Sequence, residues 1–150
     1  KHMAELVPVS AGNLLGVQVI KSAKIGAGVN IEQGKIYVFV AGYLKVPAAA
    51  NATTGKRPVR ALSSADNTSG GNGDLSVDVE YGFWVDMAND GMHPITQADV
   101  GVSPGYLSSA TTVSTESTDG PPIGQGSAPA VISFNATNSV YGRPVRVEIK

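Results

Sequence analysis

Cysteine is absent from this 150-residue chain, which excludes disulfides and thiolate metal sites and fits a reducing compartment. Histidine is almost as scarce. Beyond His2 there is only His93, so a histidine-rich metal cluster or a Ser-His catalytic set has little raw material. The formal net charge is −1 and the basic residues are scattered, which argues against a phosphate-binding surface and hence against a nucleic-acid partner. No apolar run approaches a membrane span and no charged-then-apolar leader is visible, so a soluble chain without a membrane partner is expected. Lys1, His2 and Met3 read as an expression-tag remnant.

Hydrophobic residues make up 42% of the chain, enough to bury a substantial core, and no linker divides it. Residues 4–150 are therefore read as one domain. The most informative stretch is residues 75–87, LSVDVEYGFWVDM. Its odd positions are Leu75, Val77, Val79, Tyr81, Phe83, Val85 and Met87; its even positions are Ser76, Asp78, Glu80, Gly82, Trp84 and Asp86. A strict period of two predicts a core strand with one buried face and the acidic set in water. At about 3.3 Å per residue the run is much longer than an ordinary strand, so a bend or bulge is expected at Gly82.

Further strands are predicted at residues 14–20, 36–40, 43–46, 59–62, 106–107, 130–134 and 141–149. The run IYVFV at 36–40 is apolar throughout, as suits a strand covered on both faces by core or by a partner. Pro144 cannot donate to a ladder, so the last strand is expected to start at an edge or a bulge. Between strands lie breaker-rich segments: 48–55 (AAANATTG), 65–74 (ADNTSGGNGD), 108–118 and 119–129. Residues 48–55 read as a flexible surface loop, 65–74 as an exposed loop and 119–129 as a second long loop, while 108–118 is Ser/Thr-rich with Val113 its one large apolar residue. One short helix is expected near 96–101, with Thr96 as N-cap, Asp99 reaching back and Ile95 and Val100 as staple. Many short strands, polar breakers and almost no helix predict an all-β domain, a barrel or a jelly-roll-like sandwich. Arg-Pro-Val-Arg occurs twice, at 57–60 and 143–146; neither flank extends the match, so chance or analogous edge-strand placement is the reading.

No motif identifies a reaction, and no catalytic residue, cofactor or metal ligand is predicted. His93 reads as a polar turn residue. Residues 101–105 match G-x-S-x-G around Ser103, but Pro104 follows the serine and no helix is expected there, as a nucleophile elbow requires. The DMANDG segment at 86–91 resembles a calcium loop, yet Gln97 stands where the bidentate glutamate belongs. Asp78 and Glu80 share a strand face and have the makings of a glycosidase pair, but solvated surface charges are the better account. Sequons at Asn51, Asn67 and Asn135 report loop composition. Trp84 breaks the polar face: it either covers a second small core or marks a partner surface.

One ordered set of segments resembles a known family. A Gly-rich run, an apolar strand and an Ala-rich loop (24–50) are followed by ADNTSGGNGDLSVDVEYGFWVDMAN at 65–89 and HPITQADVG at 93–101. These resemble the pattern of tailed-bacteriophage head decoration, or cement, proteins: Asp66-Asn67-Thr68, Gly70, Gly73-Asp74, Val77, Val79, Gly82, Ala88-Asn89 and Pro94 to Gly101. The likeness covers roughly residues 24–107; the segment SSATTVSTESTDGPPIGQG departs from it. It implies a structural virion protein and not an enzyme. It also implies manufacture in the bacterial cytoplasm, binding to the outer surface of the head with the major capsid protein as partner, and self-association as a homodimer or homotrimer. On that reading Trp84, Ile36, Val38 and Val40 are the candidate contact residues. A β-sandwich carbohydrate-binding or host-adhesion module is the alternative, and a glycoside hydrolase a lesser one.

Overall fold

The computed structural model describes residues 11–125, 128–135 and 144–150, with side chains from residue 16 onward. Its strands are β1 (Ala11–Lys24), β2 (Val29–Ile31), β3 (Ile36–Val40), β4 (Tyr43–Lys45), β5 (Lys56–Ala61), β6 (Ala65–Asn67), β7 (Ser76–Asn89), β8 (Tyr106–Leu107), β9 (Thr112–Ser114), β10 (Val131–Phe134) and β11 (Val145–Ile149). The main sheet runs β10-β11-β7-β5-β3-β4 and curls into a half-barrel, while β2 and β6 form a separate ribbon. The fold is all-β, as the patterning predicts. The expected helix is reduced to a 3-10 turn at Gln97–Asp99, and a second such turn lies at Ala49–Asn51. The reach-back is present: Thr96 N–H donates to Asp99 Oδ2 at 2.7 Å.

Strand β7 holds the architecture together because four strands pair with it. β1 runs antiparallel along one edge from Lys24↔Ser76 to Ala11↔Val85. The opposite edge takes β5 at Val79 and Glu80, then β11 at residues 83–87. At its end, Ala88 and Asn89 pair with β9 in parallel.

The alternation of β7 conceals a change of face. Directly opposite residues share a face of a sheet. Tyr37↔Val59 and Ala61↔Val79 therefore lie on one face, and these residues belong to a core with Ile25, Ile31, Leu44 and Val77. Ile36↔Arg60↔Glu80 lie on the other face. That other face is where Ile36 and Val38 meet Phe83, Val85 and Met87, together with Ile95, Leu107, Val113, Ile123, Val145, Val147 and Ile149, in a second core. Glu80 and Phe83 are thus on the same face although three positions apart. An extra residue has been taken up between them, and the odd side chains pass from one core to the other.

Gly82 makes that transfer possible. Its φ is +94°, and residues 14–17 of β1 bulge opposite it, since Asn13 pairs with Phe83 and Gln18 with Tyr81. A Cβ at Gly82 would stand 2.7 Å from the carbonyl oxygen of Gly16, so both the backbone angle and the close approach require glycine. The bend expected at Gly82 is present. The single buried face expected for residues 75–87 is not: two faces are buried in succession.

Several sequence expectations change accordingly. Val77, Val79, Phe83 and Val85 are buried, as expected of core-strand residues. Tyr81 is half-buried, touching both cores. Leu75 lies outside the strand and is 42% exposed, because the chain is still leaving the preceding loop there. Ile36 and Val38 are fully buried, and Val40 is half-buried against the same core. β3 is hydrogen-bonded on both edges, to β4 and β5, and its faces pack on this chain's own two cores, Ile36 and Val38 on one and Tyr37 on the other, which leaves no seam at Ile36 or Val38.

Residues 65–74 begin as β6 and are not merely an exposed loop. Asn67, 2% exposed, donates from Nδ2 to the carbonyls of Gly26 and Gly71, each at 3.0 Å. Asp74 Oδ2 accepts from Gly71 N–H at 2.8 Å, and Asn72 Oδ1 accepts from Ala27 N–H at 2.7 Å. A small polar segment thus supplies its own buried scaffold. Pro144 precedes β11, its carbonyl accepting from Asn135 N–H at 2.9 Å; the predicted strand residues 141–143 lie outside the described residues.

Replacing Gly82 by Ala should destabilise the protein by roughly 1–3 kcal/mol, the usual cost of forcing a side chain into such backbone. Urea denaturation checks this, and an unchanged midpoint would contradict the face switch as described.

Candidate functional site

The aromatic residues of β7 are each met by a guanidinium. Arg57 lies 4.3 Å from the centre of the Tyr81 ring, Arg60 4.3 Å from Phe83, and Arg146 3.7 Å from Trp84. The two Arg-Pro-Val-Arg segments explain the pattern. Their final arginines stand in register with acids of β7, Arg60 opposite Glu80 and Arg146 opposite Asp86, on the two strands that share its second edge. The expected edge placement is not found: β5 lies between β7 and β3, and β11 between β10 and β7, so the two segments reach analogous interior strands. Arg143 lies outside the described residues.

The two ion pairs sit on opposite faces. Arg60 and Glu80 are joined through Nε at 2.8 Å and through Nη2, with Glu80 only 9% exposed. This pair borders the second core. The expectation that Glu80 faces water is corrected: its face of β7 is the one the second core covers. Arg146 instead holds Asp86 with two bonds, 2.8 and 3.1 Å, on the outward side of β7 beside Trp84. Asp86 favours the charged guanidinium and raises the Arg146 pKa further. The fork and the stack fix the Arg146 side chain over the indole, leaving Trp84 half-buried on a rigid support.

Asp78 has a structural task as well. Its Oδ1 accepts from Ser22 N–H at 2.8 Å, where β1 bulges between Ile20 and Ala23 and Ser22 has a φ of +53°. Chiefly for that reason its carboxyl is held below the usual carboxylate range, with Lys21 at 3.5 Å a smaller influence. Asp78 and Glu80 therefore have separate cationic partners rather than a shared substrate position. Ser103 is equally committed: its hydroxyl accepts from Gly105 N–H at 3.0 Å, so the G-x-S-x-G match is a turn.

His93 is more than a turn residue. Its Nδ1 lies 2.7 Å from Asp119 Oδ2, and the same oxygen accepts from Ser114 Oγ at 2.6 Å. Asp90 Oδ1 accepts from the backbone N–H groups of Met92 and His93 at 2.7 and 3.0 Å. The Ser114 bond and then the imidazole keep the Asp119 carboxyl below its ordinary range, while Asp119 raises the imidazole. Burial works to raise Asp90, but the His93 and Met92 amide bonds together with the Ser108 bond and the nearby imidazole outweigh it and lower the carboxyl. Donor atoms of Asp90, His93 and Asp119 lie within 4.8 Å of one another. Asp90-Gly91 and Asp119-Gly120 are legible as turn signals, but the 26-residue separation of His93 and Asp119 hides their meeting.

An open groove of about 460 Å³ is lined by Ala49, Ala52, Thr53, Tyr106, Ser117, Thr118 and Pro122; it holds no carboxylate, imidazole or amine. No helix among the described residues is long and apolar enough to cross a membrane. Comparison with protein-family models, curated proteins and solved structures finds no match to this chain.

Replacing Arg60 by Met strands the Glu80 carboxylate and should cost roughly 1–3 kcal/mol. The double variant R60M/E80L should recover most of that, because an apolar pair removes the unpaired charge. Denaturant midpoints of the three proteins test this; a double variant less stable than R60M would contradict it.

Proposed function

We propose that this chain is a decoration, or cement, protein of a tailed-bacteriophage head, binding the outside of the assembled shell and acting without catalysis. The observation that carries the reading is the outward face of β7. There Trp84 is half-buried beneath Arg146, which Asp86 holds in place. A large amphipathic ring held on a sheet loses little freedom on docking, and buried Trp and Arg often carry much of the energy of a protein contact.

The sequence resemblance supports the same reading. Its most specific segments, residues 65–89 and 93–101, supply the Asn67-centred loop, β7 and the Gln97–Asp99 turn, so the shared residues are those that build a rigid β scaffold. Partners on this proposal are the major capsid protein and further copies of the chain as a dimer or trimer. Ile36 and Val38 are set aside as contacts because they are core residues. Stabilisation follows from mass action: a protein that binds the assembled shell but not free subunits shifts the equilibrium towards the shell.

Purified protein mixed with undecorated heads should co-sediment saturably at micromolar concentration and raise the heat resistance of the heads. W84A should weaken binding by roughly 30-fold, the scale of a contact worth about 2 kcal/mol. Failure to bind heads at micromolar concentration, with binding to host-surface polysaccharide instead, would replace this reading with that of an adhesion module.

A further inference from the structure

We infer that Asp90, His93 and Asp119 form a binding site for a divalent transition-metal cation of the zinc type, serving as a clamp between two loops. The three residues come from two segments, the turn after β7 and the loop after β9, and their donor atoms already fall within 4.8 Å of one another. Donors at about 2.0–2.2 Å from one tetrahedral cation stand about 3.3–3.6 Å apart. The half-exposed side chains therefore complete the site by closing their wider separations by about 1 Å.

The backbone around the site is already in place. Thr115 N–H donates to the His93 carbonyl at 3.0 Å, and Asp90 N–H to the Val113 carbonyl at 2.8 Å. Asn89 binds Ile95 through both Oδ1 and Nδ2, at 2.7 and 2.9 Å. Little chain entropy remains to be lost when a cation binds. The amide bonds of Asp90 fall on Oδ1, and the His93 and Ser114 bonds of Asp119 fall on Oδ2. A carboxylate can ligate through one oxygen while the other keeps its hydrogen bonds.

The donor set selects the class of ion. One imidazole with two carboxylates suits zinc, cobalt or nickel, whereas calcium and magnesium prefer oxygen alone and copper(I) prefers sulfur. The cation replaces the proton on His93 Nδ1, so the His93–Asp119 hydrogen bond gives way to metal bonds from Nδ1 and the second Asp119 oxygen, while Oδ2 keeps its Ser114 bond and water fills the remaining positions. The half-exposed His93 side chain, at 42%, leaves an entry path. The site joins the end of β7 to the loop beside β8 and β9, so its occupation resists the opening of that part of the sheet.

The test uses the full chain, stripped with chelator, with His2 replaced by Ala so that the amino terminus offers no competing imidazole. Cobalt(II) at about pH 7.5 should be taken up to one equivalent per chain with a visible absorption band, and zinc should displace it. Zinc should also raise the melting temperature. H93N and D119N should each weaken uptake by about tenfold or more. Proton–nitrogen NMR of the otherwise native chain gives a readout that needs neither variant to fold: zinc should shift the His93 Nδ1 resonance. Uptake that is unsaturable to millimolar cobalt, equal in H93N, or without effect on the His93 ring nitrogens would overturn the inference.

Discussion

The fold depends on one strand serving two cores. β7 can do so only because Gly82, at positive φ, lets the strand absorb an extra residue against the Gly16 carbonyl. Before the switch, Val77 and Val79 pack with Tyr37, Val59 and Leu44; after it, Phe83, Val85 and Met87 pack with Ile36, Val147 and Val113. Tyr81 belongs to both groups, so the cores are coupled at the point of transfer. β3 provides the complementary wall, with Ile36 and Val38 on one side and Tyr37 on the other.

The same switch distributes the polar residues. It places Phe83 on the face of Glu80, where Arg60 pairs with the carboxylate, and sends Trp84 and Asp86 outward, where Arg146 fastens both. Charge–aromatic pairs then brace β7 on either side. Each such contact adds only about 0.5–1 kcal/mol at exposed sites; their larger effect is to hold side chains in fixed positions. A docking surface benefits from that rigidity, because less freedom is lost when a partner binds. The proposed role on a phage head draws on this property, and the proposed cation site adds a second brace at the far end of β7.

Strand content was largely legible because alternation and apolar runs report it directly: residues 36–40 were read with their observed bounds, and the turn at Gln97–Asp99 was announced by Thr96 and Asp99. The strands β2, β6 and β9 were not, because they lie in or beside Gly-, Ser- and Thr-rich segments whose composition reads as loop. The face switch was hidden for a different reason. The odd positions remain apolar on both sides of Gly82, so two cores on opposite faces look the same as one continuous face. Only the pairings with β5 and β11 separate them. Trp84 was legible as the break in the pattern, whereas the meeting of His93 with Asp90 and Asp119 depends on tertiary folding that no local spacing encodes.

The central claim is that β7 changes faces at Gly82, carrying Phe83 into the core of Ile36 and turning Trp84 outward. Nuclear Overhauser contacts in an isotope-labelled sample test it most directly. The account predicts contacts from the Phe83 ring to the methyl groups of Ile36 and Val38, and contacts from the Val79 methyl groups to Tyr37. Phe83 contacts to Tyr37 and Val59, with none to Ile36 or Val38, would show one continuous face and contradict it.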